Sequence, residues 1–221
     1  QENLIAWLDQ RIRKKNYEQA EKRKYILKFI KSMIKNTKYT LKDLAINCHI
    51  LQNEIEKKIS EVELKKAEKT WKKLITNKAL SLSQIHYKFP TTMILENTSP
   101  DKFNRHLYEK AGNMNKEEYD LATKIDLCKD NVKWWYRNIE KKDFFIQGWE
   151  PRRFFPDFII ETKKGKIIIV EYKGDYLISN DDTNYKKKLG FNWAELAGKN
   201  YQFYVIGKGD VNAFIDKLKK N

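Results

Sequence analysis

Phe154-Phe155-Pro156-Asp157-Phe158-Ile159-Ile160 and, six residues on, Ile167-Ile168-Ile169-Val170-Glu171-Tyr172-Lys173-Gly174 decide the reading of this chain. Each segment is a short run of aromatic and β-branched residues, the composition of a buried strand. Each carries charge at one end. Asp157 opens the first strand; Glu171 and Lys173 close the second. Charged side chains seldom occupy such places unless they are paired or hold a metal. The intervening Thr162-Lys163-Lys164-Gly165-Lys166 has the make-up of a tight turn. A hairpin centred on Lys164 pairs positions whose numbers sum to 328, which sets Asp157 opposite Glu171. Like charges so placed repel, and a divalent cation relieves that repulsion. Magnesium, which prefers oxygen ligands, suits the pair best, with manganese as a substitute.

Strand periodicity of two aims Lys173 to the same side as Glu171, while Tyr172 points away and can offer its backbone carbonyl to the metal. Asp157, Glu171 and the Tyr172 carbonyl are therefore the expected metal ligands. Lys173 is expected to orient or activate a water, or to neutralise charge on a phosphate. This is the equipment of metal-dependent phosphodiester cleavage.

Working outward, the pattern from residue 105 onward is α/β. A helix is expected from about Asn115 to Lys129, with Leu121, Ala122, Ile125 and Cys128 on one face. Strands are expected over 132–136, 144–149, 154–160 and 166–172. A helix follows with Tyr185, Leu189, Trp193, Leu196 and Ala197 inward and Gly198 past its end. A strand over 201–206 and a terminal helix capped by Asp210 complete the order. Glu118, one turn before Leu121, is the expected fourth acid, with Glu117 as its neighbour and rival. A glutamate there also suits the positive end of a helix.

Residues 1–100 read as a basic helical region and 101–221 as the catalytic domain, with Asn97-Thr98-Ser99-Pro100 as the boundary. Leu4, Leu8 and Ile12, then Tyr25, Ile26, Phe29, Ile30 and Ile34, recur at helical spacing. Thr40-Leu41-Lys42-Asp43 resembles a capping box and precedes Leu44, Ile46, Ile50, Leu51, Ile55 and Ile59. Residues 85–95 read as extended, since Pro90 breaks a helix.

The composition agrees with a polyanionic partner. Forty-five basic against 30 acidic residues leave +15, which favours DNA first and an anionic membrane surface second. Hydrophobic residues at 41%, with six Trp, twelve Tyr and eleven Phe, exclude a disordered chain. Cys48 and Cys128 show no metal or disulfide spacing and suit a reducing compartment. No apolar run approaches the roughly 18 residues of a membrane span and no signal-peptide pattern opens the chain, so a cytoplasmic location is expected. The start at Gln1 rather than methionine is that expected of a fragment.

Pro156-Asp157, thirteen residues, then Glu171-Tyr172-Lys173 resembles the PD-(D/E)XK nuclease signature. The chain is more narrowly similar to the C-terminal endonuclease domain of type III restriction (Res) subunits and related superfamily 2 helicase–nucleases. The stretches Val132-Lys133-Trp134-Trp135-Tyr136-Arg137-Asn138 and Leu189-Gly190-Phe191-Asn192-Trp193-Ala194-Glu195-Leu196-Ala197-Gly198 support this. The resemblance implies an αβββαβ restriction-endonuclease-like core, a mixed sheet flanked by helices. It implies metal-binding acids at Asp157 and Glu171, a catalytic lysine at Lys173 and a first-helix acid at Glu118. It further implies DNA cleavage in restriction or phage defence, with residues 1–100 connecting motor to nuclease.

No Gly-x4-Gly-Lys-Ser/Thr loop occurs, so the ATP-driven motor is expected in a segment or subunit outside this chain. One such site cuts one strand, so double-strand cleavage calls for a second nuclease copy or a second visit. The alternative is a catalytically silent nuclease fold used for nucleic-acid binding or assembly.

The remaining polar residues divide between two uses. Trp134, Trp135 and Arg137 either contact nucleic acid or form a core anchor with an ion pair, the second being favoured. Lys186, Lys187 and Lys188 either grip phosphates or begin a solvated helix. Asp175, Asn180 and Asp181 are placed to order a loop beside the metal, with Asp182 or Thr183 as a helix cap. His86 and His106 read as structural or exposed.

Overall fold

The computed structural model describes residues 1–13, 17–77, 88–92, 97–174 and 181–220, Asp181 by its backbone alone. The chain divides into two units, residues 1–72 and 73–221.

The first unit is helical. Helices α1 (Glu2–Arg11), α2 (Gln19–Asn36), α3 (Leu41–Ile46) and α4 (Cys48–Thr76) follow one another. Leu4, Leu8, Ile12, Ile26, Ile30, Leu44, Leu51 and Ile55 lie in its core. The Thr40–Asp43 capping box forms in full. The expected stripe fails at Ile46 and Ile50, which are 70% and 63% exposed. At about 100° per residue Ile46 lies opposite Leu44 on α3, and on α4 Ile50 falls on the far side from Leu51, Ile55 and Ile59. Ile34 is also exposed. Inside the core, the Asp9 carboxylate is held by Lys22 at 2.9 Å and Gln19 at 2.8 Å.

The second unit is mixed α/β. Helix α5 (Lys116–Asp126) precedes strands β1 (Val132–Arg137), β2 (Ile146–Gln147), β3 (Arg153–Phe154), β4 (Phe158–Thr162) and β5 (Ile167–Tyr172). Helix α6 (Asp181–Ala197), strand β6 (Tyr201–Ile206), a 3-10 turn and helix α7 (Val211–Lys220) complete it. The main sheet has the order β1-β4-β5-β6, antiparallel except for the parallel β5–β6 pair. A parallel pair needs a crossover, and α6 supplies it. Helices α5 and α7 pack on one face through Leu121, Ile125, Phe214 and Leu218. On the other face α6 meets the sheet through Trp193 against Tyr201 and Phe191 against Phe203.

Among the described residues, the last helix before α5 is α4, which ends at Thr76. Residues 97–112 belong to the second unit, where Thr98 bridges Gly112 and the Ser99 N–H donates to the Ala111 carbonyl. Of the expected extended stretch 85–95, only 88–92 are described; there Tyr108 donates its hydroxyl to the Pro90 carbonyl at 2.7 Å. The strand expected over 144–149 shrinks to Ile146–Gln147, because Gly148 and Pro151 interrupt pairing. The one expected over 154–160 splits at Pro156, which has no N–H to give a ladder. Asp210 ends the 3-10 turn and accepts from the Gly207 N–H at 3.1 Å instead of capping α7.

The turn between β4 and β5 forms as expected, with Gly165 at φ 76°, a conformation that favours glycine. The ladder pairs Phe158 with Val170 and Ile160 with Ile168, sums of 328.

Gly190, mid-way along α6, marks a close approach of helix to sheet, since a Cβ there would run into the Phe203 ring. Alanine would gain about 0.5–1 kcal/mol of helix propensity but overpack a closed interface at about 1–3 kcal/mol. We expect Gly190→Ala to lower stability by about 1–2 kcal/mol in urea unfolding; an unchanged or raised midpoint would show that Phe203 gives way.

Candidate active site

The ends of β1, β4 and β5 meet at a pocket of about 290 Å³ whose walls include Asp157, Glu171, Lys173, Lys186, Arg153 and Phe155. Two carboxylates sit there in different company. Asp157 receives Arg137 Nη1 on Oδ1 at 2.8 Å and the Tyr172 backbone N–H on Oδ2 at 2.7 Å. Its own N–H donates to the Val170 carbonyl and its carbonyl accepts from the Asn138 N–H, both at 2.9 Å. Asn138, buried at the end of β1, also donates to the Pro156 carbonyl at 2.8 Å and the Phe144 carbonyl at 2.7 Å. The Pro156–Asp157 backbone is thereby fixed on several sides.

Glu171 is only 2% exposed. Its Oε1 takes Lys173 Nζ at 2.7 Å and Lys186 Nζ at 2.9 Å. Its Oε2 is buried and, among the described residues, accepts no hydrogen bond. Burial, then the charge of Asp157, push the Glu171 carboxyl up to about 7, against the pull of the two lysines. Burial works against the Lys186 charge, but Glu171 and Asp182 outweigh it and hold that pKa above the ordinary lysine value.

Arg137 spans two acids, since its Nη2 reaches Glu118 Oε1 at 2.9 Å while Nη1 holds Asp157. Glu118 is the N3 residue of the α5 capping box, its other oxygen accepting from the Asn115 N–H at 2.9 Å. Burial raises the Glu118 pKa, opposed by Arg137. Glu118 therefore reaches the pocket through Arg137 rather than lining it.

The other expected residues fall out as follows. Lys186 lines the pocket, whereas Lys187 is half-buried and Lys188 exposed, neither among the lining residues. Trp135 is fully buried with its indole N–H on Asp126 at 2.9 Å, and Trp134 donates to Glu161 at 2.6 Å. With the Arg137 ion pairs, these are the core anchor and structural pair. His106 is buried, its Nε2 accepting the Arg137 N–H at 3.1 Å. Tyr172 buries its ring in the core. Cys128 is buried and burial raises its pKa; Cys48 is half-buried, and both are free thiols. Asp182 pairs with Arg152 at 2.6 Å. Asp175, Asn180, His86 and the Asp181 side chain lie outside the described residues. Asn138, and the direct contact of Lys186 with Glu171, were not anticipated, although Asn138 closes the Val132–Asn138 stretch that supports the resemblance.

No family model, curated protein or solved structure matches the chain.

The donor set fits a hard divalent cation. Among the described residues Glu171 Oε2 accepts no hydrogen bond, and each Asp157 oxygen keeps a lone pair beyond the one it shares. Two carboxylates completed by waters are a magnesium-like set; Tyr172, the expected carbonyl donor, is not among the residues lining the pocket. Among the described residues no group of three or more His, Cys, Asp or Glu side chains gathers for a metal, so waters would complete the coordination.

The raised Glu171 pKa makes stability pH-dependent. The folded chain holds this proton up to about 7 and the unfolded chain releases it near 4.5. Folding therefore binds more protons in that window, and the contribution of Glu171 to stability falls as pH rises through it. Buried His106, with its pKa depressed chiefly by burial, slopes the other way below its ordinary 6.5. In EDTA we expect Glu171→Gln to remove the Glu171 slope, on the order of 2–3 kcal/mol between pH 4.5 and 7.5. His106 is common to both proteins and cancels in the difference. Parallel pH profiles of the urea midpoint would refute this.

Proposed function

We propose that the second unit is a metal-dependent endonuclease that hydrolyses DNA phosphodiester bonds, the nuclease portion of a restriction or defence helicase–nuclease. The observation that carries the reading is the meeting of Asp157, Glu171 and Lys173 in one pocket, with a buried Glu171 oxygen that accepts no hydrogen bond among the described residues. In this reading Asp157, Glu171 and the Tyr172 carbonyl hold magnesium, with manganese able to substitute. The cation would lower the pKa of a bound water and offset charge on the phosphate.

The chain's own residues do the rest. Lys173 leaves Glu171 for a phosphate oxygen as the substrate enters, or orients the attacking water. Lys186 stays on Glu171 and favours its charged form against the burial that opposes it. Arg137 holds Asp157 in place from behind and Glu118 anchors Arg137. The restriction or defence context, the DNA partner and an ATP-driven motor outside this chain rest on the resemblance and on the +15 charge. No helix of the described residues is long and apolar enough to cross a membrane.

A second reading has its own support. Arg137, Lys173 and Lys186 already pair with Asp157 and Glu171, as in a silent nuclease fold kept for binding. Plasmid nicking with magnesium or manganese against an EDTA control separates the two. Metal-dependent nicking is the expected result. DNA binding that ignores the metal and leaves the plasmid intact would favour the silent module.

A further inference from the structure

The β2–β3 ribbon has two faces of opposite character. Phe144, Ile146 and Phe154 are buried, with Phe144 against Trp193 of α6 and Phe154 against Phe203 of β6. By strand alternation Phe145, Arg153 and Phe155 occupy the other face. Ile146 pairs with Phe154 and Gln147 with Arg153, and the same register sets Phe145 across from Phe155. Their ring centroids are 5.7 Å apart, and Arg153 lies 4.3 Å over the Phe145 ring. Both rings are half-buried and Arg153 is exposed. Arg137 and Arg152 are held by carboxylates, but among the described residues Arg153 has no acidic partner. Arg153 and Phe155 also line the pocket that holds Asp157 and Glu171.

Two half-open rings and an unpaired guanidinium, continuous with a pocket edged by Lys173 and Lys186, match a ligand that is flat at one point and anionic at the next. We propose that this face is a stacking platform for an unpaired base of the DNA strand whose phosphate enters the pocket. The proposal deepens the nuclease reading and rests on it. Bases inside a duplex are already stacked and hidden, so the platform selects a single strand or a frayed end. Arginine planes and aromatic rings both stack bases without regard to sequence.

The test uses the full chain in EDTA, where binding is read apart from cleavage. Fluorescence anisotropy would follow a dye-labelled single-stranded oligonucleotide, an abasic strand of equal length, and the duplex. The variant Phe145→Leu/Phe155→Leu keeps apolar volume and removes both π faces. We expect a loss of about tenfold or more on the single strand, with equal affinity of variant and wild type for the abasic strand. Unchanged single-strand affinity, an equal loss on the abasic strand, wild-type preference for the duplex, or no binding of the single strand would each overturn the platform. Absence of nicking in a parallel assay with magnesium, alongside the expected binding pattern, would defeat the nuclease reading alone.

Discussion

Substituting Asp157 with asparagine is expected to abolish metal-dependent nicking, a loss of at least about a thousandfold, in a chain that still folds. Asparagine keeps the volume and one acceptor oxygen, so the bond from the Tyr172 N–H at 2.7 Å has a substitute. What disappears is the negative charge facing Glu171 across the pocket, and with it half of the anionic donor set. A thousandfold corresponds to about 4 kcal/mol of barrier, reasonable for one charged ligand in a partly dry site. Lys173→Ala should cost about a hundredfold to a thousandfold by a different route. Glu171 would keep Lys186 at 2.9 Å, so the variant stays folded and the loss falls on the phosphate. Lys186→Ala should lose less, about tenfold, because Lys186 acts on Glu171 rather than on substrate. Plasmid nicking rates across magnesium concentration separate the three. Undiminished cutting by both Asp157→Asn and Lys173→Ala would sink the nuclease proposal.

The parts of this site that were legible in the sequence are those set by short-range periodicity. A five-residue turn and two apolar runs left one sensible hairpin register, and the ladder from Phe158–Val170 to Glu161–Ile167 follows it. Alternation along β5 separated Glu171 and Lys173 from Tyr172. The capping boxes at Thr40 and Asn115 place helix starts within a residue, although only the first was read as one.

What stayed hidden depends on side chains that meet across elements. Arg137 reads as an ion-pair candidate, but nothing local says that it joins Glu118 on a helix to Asp157 on a strand. Lys186 lies fifteen positions after Glu171, and nothing local says that α6 lays it against the end of β5. The β2–β3 ribbon hides for another reason. Phe144 and Phe145, like Phe154 and Phe155, are equally apolar, so hydropathy does not reveal which ring of each pair faces the core.

The second large effect concerns Arg137. Replacing it with methionine should destabilise the chain by about 3–5 kcal/mol near neutral pH. Its side chain is 14% exposed and lies between Glu118 and Asp157, at 13% and 18%. Methionine preserves much of the packing against the Phe158 ring, which Arg137 now covers at 5.3 Å, but leaves two carboxylates facing one another with no cation. The sign of the pH dependence identifies the cause. Burial already raises the Glu118 pKa, and Arg137 is the chief force opposing it. Without Arg137 the folded-state value climbs further above the unfolded one, so stability falls more steeply as pH rises. Urea unfolding should therefore show a deficit at pH 7.5 that shrinks toward pH 4.5 as the acids take up protons. Adding Glu118→Gln should recover part of the loss at pH 7.5 and little at pH 4.5. A deficit of equal size at both pH values would mean that Arg137 contributes by packing alone, and the charge bridge between helix and strand would have to be abandoned.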